Sequence, residues 1–360
     1  MTEVRIDYAT PSRPVPWSQR LLAAARTAGK KELAIGLLLF TLCVIVAILN
    51  PRFLSATNLR NQASQVGLFG IFAIGMGIVI ITGGIDLSVG SAFALQGVLL
   101  SIALREWHVP SAIAVVGSLA LMVVLGLLNA FFITKVRLQP FIVTLCGLMF
   151  FRSMARFITH DETKGFGDDS SFPVLRLLAA GNIGPVPMPF VLLIVVSVIM
   201  WVVLHRSVYG RYLYAVGRND EAARYSGINT KLVVGGAYVL SMLLAGISGI
   251  ILAFWTPSIS PNDHGLSYEL FGIAAAVLGG CSLRGGEGSI LGIVLGTALL
   301  QVLRNMVILL GIPSSLELAV TASVILIGVT ADEMLSTRRR NRKLATPVTI
   351  TAPVPVGTPG

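Results

Sequence analysis

The feature that most constrains this chain is a series of long apolar blocks between about residue 32 and residue 331. Most blocks contain about 18–25 residues, the length that an α-helix needs to cross roughly 30 Å of hydrocarbon. Only 12% of the residues are charged, whereas soluble domains carry about 25%, so a soluble globule of this size could not be covered with polar surface. The alternating strands that a membrane barrel requires are absent. The sequence therefore predicts an all-α, polytopic membrane protein and excludes a soluble enzyme, a secreted disulfide scaffold and a disordered chain.

About ten transmembrane helices are expected. The blocks run approximately over residues 32–49, 65–82, 87–104, 111–134, 140–158, 187–204, 232–255, 269–281, 290–310 and 315–331. Block 269–281 is too short to span a bilayer alone, and glycines interrupt the pair 65–82 and 87–104. The sequence leaves open whether residues 65–104 and 266–281 form full spans or broken helices.

The distribution of positive charge favours a cytoplasmic location for both termini. With ten alternating spans, the cytoplasmic segments hold 19 of the 27 Lys and Arg residues, as expected for loops on that side of the membrane. The chain then divides into a basic leader at 1–31, a transmembrane domain at 32–333 with a long cytoplasmic segment at 205–231, and a basic tail at 334–360. We expect both ends to be disordered, and we interpret the basic tail as a lipid-facing cluster rather than a nucleic-acid site.

The long cytoplasmic segment contains a short helix whose two ends are marked by the sequence. Asn219 is a good N-cap, Asp220 and Glu221 lie in the first turn, Arg224 lies near the C-terminus, and Gly227 suits the left-handed position after it. A helix of this length is not stable alone. It is either a surface helix that completes a loop or a helix that docks into a groove on a cytosolic partner.

A second informative segment surrounds Asp86, a carboxylate in an apolar stretch. Such a residue is a functional candidate by default, but Asp86 or Ser88 can also cap a helix that starts at about Leu87. We favour capping over substrate contact. The glycines before Asp86 allow a tight turn or close helix packing.

The third informative segment, Tyr268–Ser289, contains two Gly-Gly pairs without the features of a phosphate loop, since no Gly-Lys-Ser/Thr follows them. We interpret its small residues as close helix packing.

Arg304 lies within a later apolar block and should have a structural partner, because buried charges require one. The cysteines Cys43, Cys146 and Cys281 are interpreted as small buried hydrophobes without disulfides. No catalytic set, metal-ligand spacing or nucleotide-binding motif is present, so the chain is not expected to be an enzyme.

At these segments the chain resembles the permease subunits of carbohydrate ABC importers, the family of the ribose, xylose and autoinducer-2 permeases. The matching stretches are Thr82–Ser91 (TGGIDLSVGS), Gln139–Thr144 (QPFIVT), Gly210–Asn229 (GRYLYAVGRNDEAARYSGIN) and Tyr268–Gly288 (YELFGIAAAVLGGCSLRGGEG). The resemblance covers about residues 35–333. The chain departs from the family pattern at Phe271, where relatives often carry an acidic residue, at Arg304, where they often carry Asn, and in Leu318–Val324, which lacks a usual glycine.

The resemblance implies a multi-pass protein of the bacterial inner membrane that forms the pathway for a pentose-like or hexose-like sugar. It also implies a second permease chain, identical or different, a cytosolic ATPase that holds ATP and Mg²⁺, and a periplasmic sugar-binding protein; the chain itself is expected to bind no cofactor or metal. The implied ATPase-coupling residues are Asn219, Asp220, Glu221, Ala222, Ala223, Arg224, Ser226 and Gly227. We assign the translocation pathway or gate to Gly83, Gly84, Asp86, Ser88, Ser91, Glu269, Gly279 and Gly280.

Two other functional classes compete with this interpretation. An ion-coupled secondary transporter of a small polar solute would have interior carboxylates and broken helices at mid-depth, and Asp86 beside Gly83 and Gly84 favours it. A membrane-embedded enzyme would need acid, base or metal-ligand groups at one depth, and the sequence offers no such set.

Overall fold

The computed structural model describes residues 17–167, 172–256 and 258–316, and separate positions between 319 and 330. Most of the predicted span at 315–331, the first part of the leader and the whole tail therefore lie outside the described residues. The helices are α1 (Trp17–Leu49), α2 (Ala56–Ile81), α3 (Val89–Arg105), α4 (Ser111–Thr134), α5 (Pro140–Thr159), α6 (Pro173–Ala180), α7 (Met188–Trp201), α8 (Val208–Arg218), α9 (Asp220–Tyr225), α10 (Thr230–Trp255), α11 (Tyr268–Leu278) and α12 (Ile290–Leu309).

The described residues confirm the all-α, polytopic architecture. Seven helices are long and apolar enough to cross a membrane, whereas α3 and α11 are apolar but shorter. The only strands in the described part of the chain are two short antiparallel pairs, in which β1 (Lys164–Gly165) pairs with β4 (Ser258–Ile259) and β2 (Asn182–Ile183) pairs with β3 (Val186–Pro187). The total of ten spans and their orientation stay predictions.

Several helix boundaries differ from those that hydropathy indicates. Helix α1 begins at Trp17, inside the segment assigned to the leader, and α2 begins at Ala56, nine residues before its apolar block. The polar start of α2 is stabilised because the Ser55 side chain caps it and Asn58 exchanges hydrogen bonds with Asn305 of α12. Helix α7 continues into a π-helical turn at Val202–Arg206.

Helix α2 lies at the centre of the bundle and packs against α7, α10, α11 and α12. It is buried over nearly its whole apolar length. Close approach depends on small residues, since a Cβ at Gly67 would overlap the backbone of Pro189 at the start of α7. In contrast, most residues in the apolar parts of α4, α5, α7 and the Lys31–Leu49 portion of α1 are not buried inside the bundle. These exposed faces are the surfaces that a lipid bilayer would cover.

The three cysteines are free, but they do not share one environment. Cys281 is buried and Cys43 is half-buried, as expected for small hydrophobes. Cys146 is exposed on the outer face of α5, so its predicted burial is wrong. An exposed thiol on an apolar helix face is compatible with lipid contact, because cysteine behaves as a small hydrophobe.

Candidate functional site

Two short helices, α3 and α11, begin inside the bundle beside the middle of α2. The ring of Tyr268, the first residue of α11, lies 4.8 Å from the ring of Phe69 on α2. The ring of Phe93, in the second turn of α3, lies 5.4 Å from that of Phe72, one turn further along α2. Each short helix is preceded by a non-helical segment, at residues 82–88 and 256–267. Helix α2 is long enough to span a membrane, whereas α3 and α11 are short helices that each follow a non-helical segment; we call α3 and α11 the broken helices.

Glu269 lies where the two broken helices meet. It is buried, with 7% of its surface exposed. Its carboxylate lies against Gly90, in the first turn of α3, while Glu269 itself lies in the first turn of α11. A Cβ at Gly90 would overlap the Glu269 carboxylate and the Gly265 carbonyl oxygen, so only glycine permits this approach. The Glu269 carboxyl group thus lies beside the first turns of two helices.

Asp86 is fully buried in the segment before α3. Its Oδ1 accepts hydrogen bonds from the Ser88 backbone N–H at 2.9 Å and from the Ser88 hydroxyl at 2.6 Å. Asn129 of α4 donates to the same hydroxyl at 3.0 Å. This is a local Asx turn. Helix α3 begins at Val89, two residues later than expected, and its N-cap Ser88 makes no side-chain capping bond, so Asp86 fixes the turn before the helix instead of capping it.

The other oxygen of Asp86, Oδ2, is buried and has no hydrogen-bond partner among the described residues. The neighbouring carbonyl of Ile85 accepts hydrogen bonds from the Tyr238 hydroxyl of α10 at 3.3 Å and from Thr144 of α5 at 3.4 Å. Thr144 is the last residue of the QPFIVT stretch. Helices α4, α5 and α10 therefore all hold the segment that precedes α3.

The predicted short helix at 219–226 is confirmed as α9, together with both of its caps. The Asn219 side chain accepts a hydrogen bond from the Ala222 N–H at 2.9 Å. At the other end, Gly227 has φ = 83° and its N–H bonds the Arg224 carbonyl, while the Ile228 N–H bonds the Ala223 carbonyl. These two bonds form a Schellman motif. Of the α9 residues only Ala223 is buried, so α9 presents the rest of its surface outward.

Helix α8, which precedes α9, contacts the end of α2 through backbone. A Cβ at Gly217 would overlap the Ile81 carbonyl oxygen. That carbonyl accepts a 2.8 Å hydrogen bond from the Gly286 N–H, and the Tyr214 hydroxyl donates to the Gly288 carbonyl at 2.7 Å. Burial raises the pKa of the Tyr214 phenol well above its ordinary value, so this hydroxyl remains a neutral donor. We call the region formed by α8, α9, the end of α2 and the loop 279–289 the α8 end.

The structure divides the predicted pathway residues into two groups. Asp86, Ser88, Ser91 and Glu269 lie around the starts of α3 and α11. Gly83 and Gly84 follow the end of α2, while Gly279 and Gly280 follow α11 at the α8 end. Gly279 also packs against Gly292 of α12, as expected for close helix packing. One residue that sequence reasoning missed is Arg152 of α5, whose position in an apolar helix was the available signal.

Two of the positions at which the chain departs from the resemblance, Phe271 and Arg304, contact each other. The Arg304 guanidinium lies 4.8 Å from the ring centre of Phe271 and 5.3 Å from that of Phe69. An aromatic face attracts a cation at this distance. Arg304 therefore has aromatic structural partners in Phe271 and Phe69.

The described residues contain no group of three or more His, Cys, Asp or Glu side chains that could hold a metal ion. The chain matches the family described as "Branched-chain amino acid transport system / permease component" over residues 58–329. It is 40% identical over 299 residues to the ribose import permease protein RbsC of Bacillus subtilis (strain 168), a match that covers 83% of this chain and 91% of that protein.

Two relatives from Escherichia coli (strain K12) are also similar. The ribose import permease protein RbsC is 37% identical over 294 residues, which cover 82% of this chain and 91% of that protein. The galactofuranose transporter permease protein YtfT is 34% identical over 275 residues, which cover 76% and 78% of the two chains.

Proposed function

Because the chain belongs to the family of ABC importer permeases and its relatives import sugars, we propose that it forms the translocation pathway for a sugar of pentose or hexose size. It is a multi-pass protein of the bacterial inner membrane and a transport subunit rather than an enzyme. ATP hydrolysis is assigned to a separate cytosolic ATPase chain that holds ATP and Mg²⁺. A periplasmic binding protein delivers the sugar, and a second permease chain completes the pathway.

The observation that carries this proposal is the arrangement of the α8 end. Helix α9 is capped at both ends and exposed except for Ala223, which suits a helix that docks into a groove on a partner. Helix α8 contacts the Ile81 carbonyl through Gly217, and the next residues after Ile81 lead to the Asp86 turn and α3. Movement of α9 by a partner would therefore be transmitted through backbone contacts to the broken helices.

The broken helices also fit the runner-up function, an ion-coupled secondary transporter. In such transporters the N-termini of broken helices point at substrate groups. Here the carboxylate of Glu269 already occupies the space between the two N-termini. This arrangement favours a structural role for the junction and supports the ABC importer over the runner-up.

Reconstitution of sugar uptake distinguishes the two functions. The purified chain would be placed in proteoliposomes, and uptake of radiolabelled ribose would be measured with the ATPase chain, the binding protein and ATP, and then with each omitted. We expect uptake only when all components are present. Uptake by the chain alone, driven by an ion gradient, would refute the proposal and support the secondary transporter.

A further inference from the structure

Arg152 lies on the apolar helix α5 and has no part in the coupling scheme described above. Its guanidinium donates hydrogen bonds to the carbonyl oxygens of His264 at 2.8 Å, Pro261 at 3.1 Å and Gly90 at 3.4 Å. The acceptors belong to two different segments, the connection between α10 and α11 and the first turn of α3. We call these three hydrogen bonds the Arg152 bridge. The planar fork of an arginine can serve several acceptors at once, which a lysine ammonium on its single nitrogen does less well.

The connection that the bridge holds is folded into the bundle. Part of the connection 256–267 is buried. Ile259 is fully buried, and its Cδ1 atom would lie only 3.1 Å from a Cβ added at Gly97 of α3. His264 is 93% buried. The backbone of the non-glycine residue Ser267 is left-handed, with φ = 64°. Such a conformation is strained and persists only where surrounding contacts hold it.

The electrostatic surroundings connect the bridge to the junction of the broken helices. Glu269 and Asp263 are the carboxylates that interact with the Arg152 charge. The Gly90 carbonyl accepts from Arg152, and the Glu269 carboxylate lies against the same glycine. The first turn of α3 therefore contacts two other elements. The Arg152 bridge connects it to α5, and the Glu269 carboxylate packs it against α11.

We propose that Arg152 is a positioning residue for transport: the Arg152 bridge holds the connection 259–265 against α3 and α5, and the pathway opens when this bridge is released. The acceptors are neutral carbonyls, which water can replace as hydrogen-bond partners once the interior fills with water. The transport part of this proposal rests on the proposed function, whereas the structural part does not.

Cysteine labelling tests the structural part without sugar or ATPase. Ile259→Cys would be introduced into a chain in which Cys43 and Cys146 are replaced by Ala, and native Cys281, buried at the α8 end, would be retained as an internal reference. Labelling by a small maleimide in membrane vesicles would be followed by mass spectrometry at both cysteines. Arg152→Gln and Arg152→Lys would be compared with Arg105→Gln, a matched change at the exposed end of α3.

Loss of the bridge should expose the buried connection locally. In the Arg152→Gln chain, we expect the maleimide to label the cysteine of Ile259→Cys about ten times faster, because charge-assisted hydrogen bonds to the connection are lost. The Arg152→Lys chain should show a smaller increase in the labelling rate. Cys281 and the Arg105→Gln chain should keep their labelling rates. If Arg152→Gln does not assemble, the lysine variant carries the same comparison. An unchanged rate at Ile259→Cys would overturn the proposal, and equal acceleration at both cysteines would show a general stabiliser of the fold.

Passive leak tests the transport part. Proteoliposomes that contain the chain without ATPase would be loaded with radiolabelled ribose, and efflux would be measured without ATP. We expect faster efflux from Arg152→Gln than from Arg105→Gln or the unmodified chain. Faster labelling without faster efflux would mean that the bridge holds the connection but does not close the pathway.

Discussion

The backbone contact between α8 and α2 makes Gly217→Ala the most informative single substitution at the α8 end. The added Cβ would overlap the Ile81 carbonyl oxygen and lie 2.5 Å from the Gly286 nitrogen. Both atoms belong to backbone, so no side-chain rotation can relieve the contact. The hydrogen bond from the Gly286 N–H to the Ile81 carbonyl, 2.8 Å long, lies in the same place and would be distorted.

The magnitude follows from two opposing effects. Overpacking of a well-packed site costs about 1–3 kcal/mol. Replacing a helical glycine by alanine gains up to about 1 kcal/mol in helix propensity. Gly117 of α4 provides a matched control, because it is helical, exposed and has no atom within 4 Å of an added Cβ. Because both glycines are helical, the propensity gain is common to the two substitutions, and Gly217→Ala should be about 1–3 kcal/mol less stable than Gly117→Ala.

The assay is thermal unfolding of the detergent-solubilised chain, followed by size-exclusion chromatography of a fluorescent fusion, together with sugar uptake by the reconstituted importer. We expect Gly217→Ala to unfold at a lower temperature and to lose most of its uptake, and Gly117→Ala to match or exceed the unmodified chain. If both variants unfold at the same temperature and transport equally, the contact between α8 and α2 does not carry movement to the pathway.

Three further predictions concern other parts of the structure. Asp86→Asn keeps an acceptor for Ser88, so this variant should assemble and should transport at a rate close to that of the unmodified chain. Asp86→Leu removes the acceptor and should reduce the amount of assembled protein. An Asp86→Asn variant that assembles but does not transport would show that the charge itself is needed. Phe271→Leu should destabilise the chain by about 0.5–2 kcal/mol because a cation–π contact with Arg304 is lost. Phe271→Tyr keeps an aromatic ring and should leave the unfolding temperature unchanged. Equal unfolding temperatures for the two variants would contradict a stabilising contact. Cysteine at the exposed Asn262 should react with an impermeant thiol reagent from outside intact spheroplasts, and labelling only from the cytoplasmic side would reverse the orientation. The sequence also predicts that Asp168 is external, and this residue lies outside the described residues.

The sequence predicts those parts of the structure whose causes are local. Helix α9 is an example, since Asn219 and Gly227 act through hydrogen bonds within a few residues and hydropathy plays no part. The apolar blocks likewise identify the long helices, because each block must be buried or face lipid. The polar start of α2 was missed because its partner, Asn305, lies 247 residues away in the chain.

The sequence indicates the junction of the broken helices only through an apolar block that is too short to span a membrane. Hydropathy showed that 269–281 is short, but not that α11 begins beside the middle of α2 or that Gly90 meets Glu269. The position of Arg152 in an apolar helix marks it as unusual, but its partners cannot be predicted from the sequence because they are backbone carbonyls, which every residue carries. Similarly, the residues that support the Asp86 turn come from α4, α5 and α10, and no spacing in the sequence relates them.

We propose that α9 couples an ATPase to the pathway, and ATP hydrolysis by the reconstituted complex tests this coupling most directly. Hydrolysis would be measured with and without sugar-loaded binding protein for the unmodified chain, Gly227→Val and Glu221→Lys. The valine would be forced into the left-handed conformation that Gly227 adopts at φ = 83°, and the lysine would place a cation at the positive end of α9. We expect both variants to insert into the membrane but to lose stimulation by the binding protein, together with sugar uptake. Full stimulation and normal uptake in both variants would contradict the account and would mean that α9 only completes a surface loop.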